Sequence, residues 1–379
     1  MLRAFVIAVV IVALAWVIGG QALLGRIDPA LAIPSLVPPM LLLAWWQRRD
    51  PGAERARAYL FSLILLSTGQ GLLVALLAGS AAWLQLVLTA LAASLAALIA
   101  DLLVQWRPRF KILHWVAGLL LAIGWFGIGH AGLAILYRPA AASANAPAVT
   151  MLTGLPLRWS GGEGIAAMIA EGAKDDPALA RLTAAGPVSL VDSLVDHAPP
   201  PGGTLLVAHP RALAPQELVA IDSFVRGGGR AVILADALTG WPAPYPLGNP
   251  RNPPITSLLT PLLDHWGVKL GAAPPEETAA LPVDVDGARL RLFSAGRFER
   301  LPSQCTIYAD RRVARCSIGD GEAWLVGDAD LLFEPLWRPV APGFEHLRQA
   351  DTVEWLSTLL WRNAGQGLLN PIWIRARAI

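Results

Sequence analysis

The residues best suited to chemistry in this chain of 379 residues stand just after short apolar runs. Arg158-Trp159-Ser160-Gly161-Gly162-Glu163-Gly164 follows the run 149–154, and His209-Pro210 follows 204–208. Asp236, with a Pro-rich stretch reaching Arg251-Asn252, follows 231–235, and Asp328 and Asp330 follow 324–326. A Gly-rich loop that opens a helix can cradle an anion with its N–H groups. An imidazole can exchange a proton near neutrality, and neighbouring carboxylates can hold a cation or move a proton. Each feature also has a plainer reading: a tight turn, a strand-end histidine with a satisfied ring, and aspartates that close turns. The Gly-rich loop lacks the Lys and Ser/Thr of a phosphate-binding Walker loop, and its spacing is not G-x-G-x-x-G. No G-x-S-x-G or cysteine elbow follows a predicted strand, which leaves Ser160 as the one well-placed hydroxyl nucleophile. His197, His209, His265 and His346 show no zinc-binding spacing. The residues therefore assign no catalytic group, no metal and no cofactor. They leave a candidate ligand cleft of Ser160, Gly161, Gly162, Glu163, His209, Asp236, Arg251 and Asn252.

Ligands of open α/β sheets collect beyond the carboxyl ends of the strands, so the elements that position these residues decide whether they meet. Strand-like runs at 149–154, 188–191, 204–208 and 231–235 alternate with helical patterns near 163–171, 215–226 and 256–266. Thr204-Leu-Leu-Val-Ala208 has no polar alternation, as expected of a strand covered on both faces. Pro215 marks a helix start and Gly227-Gly228-Gly229 its end. Gly267 is expected to cap the 256–266 helix. The order predicts a flavodoxin-like, doubly wound parallel sheet with right-handed crossovers. From 281 the spacing changes to strands joined by tight turns, a C-terminal β-hairpin region. Asp351 with Glu354 predicts a capping box for a helix at 351–362.

The chain contains two cysteines, Cys305 and Cys316. They stand equally far from the turn predicted at Asp310-Arg311, which makes them cross-strand partners and a candidate disulfide. Such a bond persists outside the cytoplasm.

The front of the chain has a different composition. Residues 1–137 hold nine Lys/Arg and four Asp/Glu, a net charge of +5, whereas the remainder of the +2 chain is net −3. An acidic back half does not suit nucleic acid, whose phosphates need a basic face. Overall 55% of residues are hydrophobic and only 15% are charged. Apolar runs near 4–24, 30–46, 59–79, 83–104 and 112–137 are long enough, at about 20 residues, to cross a bilayer core as helices. The second is short and carries Pro34, Pro38 and Pro39, so a kink or a re-entrant start is expected there. The first has one Arg, a long apolar core and a poor cleavage site, and is expected to be retained rather than removed as a signal peptide. Arg3, Arg48, Arg49, Arg55, Arg57, Arg107, Arg109 and Lys111 lie on one side of these runs, and Arg26 alone lies on the other. That bias predicts a cytoplasmic N-terminus. An odd number of spans then places the domain at 149–379 outside, beyond a small-residue, Pro-bounded linker at 138–148. Two ionisable residues inside the spans stand out: Asp101, expected to sit at the interface beside Arg107, and His130, in a Gly-rich packing stretch.

The stretch Leu205-Leu-Val-Ala-His-Pro-Arg-Ala-Leu-Ala-Pro-Gln-Glu-Leu-Val-Ala-Ile-Asp-Ser-Phe-Val-Arg-Gly-Gly-Gly-Arg-Ala-Val-Ile-Leu-Ala-Asp236 resembles the extracytoplasmic domain of the GldG-like family, the ABC-type uncharacterized transport auxiliary proteins. The stretch from Gly321 to Phe333 and the helix after Asp351 fit the same pattern, so the resemblance spans about 150–360. It implies a class I glutamine-amidotransferase-like fold without established catalysis, in a membrane-anchored partner of an ABC ATPase and permease in the bacterial inner membrane. Several N-terminal spans depart from a singly anchored form. The leading expectation is a non-enzymatic auxiliary or scaffold subunit whose periplasmic domain binds a partner protein or envelope ligand. The alternatives are a sensor for a carbohydrate or small anion, or a hydrolase or amidotransferase-like enzyme of the cell envelope.

Overall fold

The computed structural model describes residues 2–106, 111–158, 174–246, 248–249, 252–339, 341, 343–361 and 364–375. The chain divides into two compact units. One comprises Met1–Arg138, Pro339–Arg348 and Gly367–Ile379; the other comprises Pro139–Arg338 and Gln349–Gln366. Two segments of the region expected as one domain at 149–379, Pro339–Arg348 and Gly367–Ile379, group with the first unit. The physical reason lies in the side chains of the returning segments. Leu369 is buried with Leu133 and Tyr137, and Ile372 and Ile374 pack on Ile27, Val74 and Ala82, all within the first unit.

The first unit is helical: α1 Leu2–Val17, α2 Gln21–Leu24, α3 Val37–Trp46, α4 Gly52–Leu77, α5 Trp83–Gln105 and α6 Lys111–Leu136. Four stretches, Leu2–Leu24, Gly52–Leu77, Trp83–Gln105 and Ile112–Leu136, are long and apolar enough to cross a membrane. The second predicted run is a 3-10 helix, Pro29–Ser35, followed by α3 at a bend of 63°. The bend is where the prolines require it. Pro38 and Pro39 lack the N–H of a continuing ladder and suit only a fresh first turn. Small side chains let the helices approach: Ala93, Ala96, Ala97 and Ala100 of α5 are all buried. Asp101 pairs with Arg55 of α4 at 3.0 Å and accepts from the Tyr59 hydroxyl at 3.2 Å. Arg107, the partner expected for it, lies outside the described residues.

The second unit is a mixed α/β domain. Its seven-stranded sheet has the order β2-β1-β3-β4-β11-β10-β9. The strands are β1 Val149–Thr153, β2 Val188–Val191, β3 Thr204–Ala208, β4 Arg230–Leu234, β9 Cys305–Tyr308, β10 Val313–Ile318 and β11 Gly321–Val326. β2, β1, β3, β4 and β11 pair in parallel, whereas β10 runs antiparallel to both of its neighbours, β11 and β9. The sheet is mixed because tight turns join β9, β10 and β11, and a tight turn can connect only antiparallel neighbours. Two hairpin-like ribbons stand apart from it: β6 Leu281–Val285 with β7 Ala288–Leu292, and β5 Lys269–Leu270 with β8 Phe298–Arg300.

The apolar run of β3 serves two cores. Leu206 and Ala208 join a cluster that includes Leu179 and Leu182 of α7 Pro177–Ala185, and Leu356 and Leu360 of α10 Thr352–Leu360. Leu205 and Val207 join a second cluster with Ile221 and Val225 of α8 Pro215–Arg226, and Leu262 and Leu263 of α9 Thr260–His265. Gly267, at φ +73, follows α9 in the left-handed conformation its position required. The predicted capping box at α10 does not form. The Asp351 carboxylate accepts from the Arg289 N–H at 3.2 Å, and Glu354 pairs with Arg181 at 2.9 Å. Tertiary partners took both carboxylates from the local cap.

Cys316 pairs directly with Cys305 across β9 and β10, and the two are joined in a disulfide. The turn between the strands holds Ala309, Asp310 and Arg311 at positive φ.

Candidate functional site

β3 ends in His209, whose φ of 46° turns the chain out of the sheet. Its N–H donates to the Leu234 carbonyl at 2.9 Å, and its own carbonyl accepts from Gly154 at 3.2 Å. A Cβ at Gly154 would lie 2.7 Å from that carbonyl oxygen, so the crossing needs glycine. Nε2 of the ring lies 2.7 Å from the Pro254 carbonyl and therefore carries the proton, while Nδ1 is buried without a partner among the described residues. Burial holds this imidazole below its usual pKa. The ring ties the 236–257 excursion back to the strand end, which is the plainer of the two readings.

β4 and β11 are parallel neighbours with Leu234 opposite Val326, so Asp236, Asp328 and Asp330 emerge at the same end of the sheet. All three are buried, with one oxygen from each within 4.8 Å of the others. The surrounding backbone feeds them. Asp328 accepts from the N–H groups of Phe293 at 2.7 Å and Asp330 at 2.6 Å. Asp330 accepts from the Gly240 N–H at 2.6 Å and the Thr239 hydroxyl at 3.2 Å. A Cβ at Gly240 would stand 2.9 Å from Asp330 Oδ2 and 2.7 Å from the Phe293 ring, so no larger residue fits there. Asp236 accepts from the Leu238 N–H at 3.2 Å, and its Oδ2 has no partner among the described residues.

Burial first, and the neighbouring carboxylates second, push Asp236 up to about 10. The same two causes hold Asp328 well above the ordinary range, and burial raises Asp330 to about 6. Three carboxylates this close do not all ionise; protons or a cation must offset the charge. Asp236, Asp328 and Asp330 are the described residues that could hold a metal. Asp328 and Asp330 already receive N–H and O–H donors, which fits an anchor for the loops after β4 and β11 at least as directly.

Among the predicted cleft residues, the structure brings Asp236 together with Asp328 and Asp330, and sets His209 on the adjoining strand end. Asn252 is not part of that group. It receives the Tyr245 N–H at 3.1 Å and donates to the carbonyls of Tyr245 at 2.8 Å and Pro246 at 3.2 Å, closing an exposed loop. Ser160, Gly161, Gly162, Glu163 and Arg251 lie outside the described residues. A cavity of about 370 Å³ begins at Ala237 and Leu238 and is bounded by Ile255, Ser257, Leu263 and Lys269. A larger concavity of about 1020 Å³ lies at the amino ends of β3 and β4, lined by 199–203 and 227–230, away from the carboxylates. Its size alone does not recommend it, since none of the described cleft residues lines it.

Sequence reasoning missed a second polar cluster, inside the helical unit. Arg26 and Asp28, both fully buried, pair at 2.7 Å. Asp28 also accepts from the Tyr137 hydroxyl, and Arg26 donates to the His346 carbonyl. The Arg26 guanidinium lies 5.3 Å from the Tyr137 ring centre and 5.5 Å from that of Trp373. His346 Nε2 is 2.9 Å from His130 Nδ1. Burial, then the charges of its neighbours, push His346 down to about 3. The available signal was an Arg-x-Asp pair in a short apolar loop; its partners at 130, 346 and 373 were beyond local reading.

Residues 187–273 match the family described as ABC-type uncharacterized transport system. The matched segment runs from β2 to β5 and contains His209 and Asp236. Over this segment, under a quarter of its length, the chain is similar to that ABC-type transport family. The match supports an auxiliary component of an ABC-type system, attached here to helices apolar enough to cross a membrane. No curated protein matches the chain. Solved structures similar to it include an exo-β-1,4-mannosidase from Opitutaceae bacterium strain TAV5, at 13% identity over 65% of this chain and a TM-score of 0.32. A GH42 β-galactosidase from G. stearothermophilus has 16% identity over 57% of this chain and a TM-score of 0.30. A β-galactosidase from Rahnella sp. R3 has 14% identity over 62% and a TM-score of 0.29. The chain spans only 39%, 31% and 35% of those three proteins' lengths, and likeness at this level carries no argument about activity.

Proposed function

We propose that this protein is a membrane-anchored, non-enzymatic auxiliary or scaffold subunit of an ABC-type transport system, whose α/β domain binds a partner protein or envelope ligand. One observation carries the reading: the ABC-type family segment at 187–273 belongs to a chain that also holds several membrane-length apolar helices. The bias of Lys and Arg in the short loops supports a cytoplasmic N-terminus and a periplasmic α/β domain. Five parallel strands in the order β2-β1-β3-β4-β11, with helices packed on both faces, support a doubly wound, amidotransferase-like ancestry for that domain. A non-catalytic role fits the engagement of the buried polar groups. His209 is neutral and tied to Pro254, and Asp328 and Asp330 take up backbone donors.

The test is affinity purification of the full-length chain from detergent-solubilised membranes. Recovery of an ABC ATPase together with a permease is expected, and recovery that persists with Asp236→Asn is expected of a scaffold. Purification with neither subunit would overturn the reading. So would a hydrolytic activity of the purified chain that Ser160→Ala abolishes.

A further inference from the structure

A groove of about 820 Å³ runs along the helical unit between α3, α5 and α6. Leu41, Leu42 and Trp45 line it from α3, and Gly118, Leu119 and Ala122 from α6. These positions follow helical spacing, so each helix turns one continuous face to the groove. A groove between apolar helices is filled by lipid in any bilayer; what distinguishes this one is its end. Arg48 and His114 both line it at the α3 C-terminus and the α6 N-terminus, and no acidic residue among the described residues lines it. The Arg48 guanidinium stacks 4.3 Å from the Trp45 ring centre and donates one N–H to the Trp45 carbonyl at 3.0 Å. That arrangement holds the side chain at the mouth and leaves the rest of its donor fork for an acceptor. The nearby Asp50 does not compete, because it faces Arg3 at 3.5 Å. From Pro38 to Arg48 the groove is about 15 Å long at 1.5 Å per residue, the scale of an acyl chain rather than of a soluble metabolite. Gly118 keeps it open: a Cβ there would sit at ordinary contact, 3.9 Å from both Leu41 Cδ1 and Leu103 Cδ2, so a longer side chain would enter the space.

We infer that this groove is a binding site for one anionic diacyl phospholipid, with an acyl chain along α3 and α6 and the phosphate at Arg48 and His114. The site is independent of the auxiliary role proposed above, and its test reads lipid alone.

The purified full-length chain, stripped of lipid by detergent exchange, is titrated with dioleoyl-phosphatidylglycerol or dioleoyl-phosphatidylcholine and read by native mass spectrometry. Phosphatidylglycerol is expected to be retained about fivefold better, the scale of one basic contact at a membrane surface. Arg48→Gln is expected to bring the two lipids level, and Arg48→Lys to keep most of the preference. Gly118→Phe is expected to lower retention of both. Arg48 is exposed, so its variants report on the site even where Gly118→Phe disturbs folding. Equal retention by the unaltered chain would mean ordinary annular lipid and would overturn the proposal. A preference indifferent to Arg48→Gln, or displacement of phosphatidylglycerol by glycerol 3-phosphate alone, would overturn it too.

Discussion

The helical unit and the α/β unit each bury a charged cluster, and they neutralise it in opposite ways. Around Arg26 the solution is pairing: a guanidinium against the Asp28 carboxylate, roofed by two aromatic rings and closed by the Tyr137 hydroxyl. Around Asp236 the described partners of the acids are backbone N–H groups and a hydroxyl rather than basic side chains. Three carboxylates share the space, fed by backbone N–H groups and relieved by protons held far above the usual aspartate range. The difference follows from what the backbone can offer. Strand ends and the turns after them have free N–H donors to aim at a carboxylate, as the N–H groups of Phe293, Gly240 and Leu238 do. Asp28, at the start of the 3-10 helix Pro29–Ser35, takes one backbone donor, the Ala30 N–H at 3.2 Å, and meets its charge with the Arg26 and Tyr137 side chains. The first cluster should therefore fail when one partner is removed, and the second should respond to pH.

The largest effect is expected from Arg26→Met, which leaves Asp28 buried without its cation. Losing one member of such a pair costs about 3–5 kcal/mol. The variant should show a sharp fall in thermal stability in detergent, and Arg26→Met combined with Asp28→Leu should recover part of it. A single variant as stable as the parent would break the contrast.

Next is the covalent edge of the α/β sheet. Replacing Cys305 and Cys316 with Ala removes a short loop closure, a loss of about 2–3 kcal/mol. Denaturant unfolding with and without reductant checks it, and reductant should no longer matter in the variant.

The pH response is subtler. Asp236 at about 10 and Asp330 at about 6 keep protons that the unfolded chain releases near pH 4. Their contribution is whole below about pH 4 and is lost as pH rises, first toward 6 through Asp330 and then toward 10 through Asp236. Asp236→Asn, isosteric with the protonated acid, should flatten the upper part of that decline with little change at pH 5. Stability that increases from pH 6 to 9 would point instead to a bound cation.

The smallest effect is expected from Asn252→Ala. It removes an exposed loop clamp, worth about 1 kcal/mol or less, and should leave partner recovery unchanged.

Much of this fold was legible because its signals are local. Thr204–Ala208 announced a strand covered on both faces, Pro215 and the 227–229 glycines bracketed a helix, and Cys305 and Cys316 fell at mirrored distances from a turn. The candidate site was legible only in part. Asp236 was found because it ends a strand. Its partnership with Asp328 and Asp330 depends on β11 lying beside β4, a pairing between segments some ninety residues apart. Asn252 was legible only as an exposed polar residue in a Pro-rich loop, and its bonds to Tyr245 and Pro246 come from how that loop folds back.

Composition and periodicity alone determined that an apolar, basic-edged helical front is followed by an α/β domain, since hydrophobic pattern is a property of each segment taken singly. Tertiary structure alone decided which charges are paired, that the Asp351–Glu354 cap is given up to Arg289 and Arg181, and that residues 339–348 and 367–375 return to the helical unit. Those outcomes depend on competition among distant partners for the same donor, acceptor or apolar surface, and no single stretch of chain records the winner.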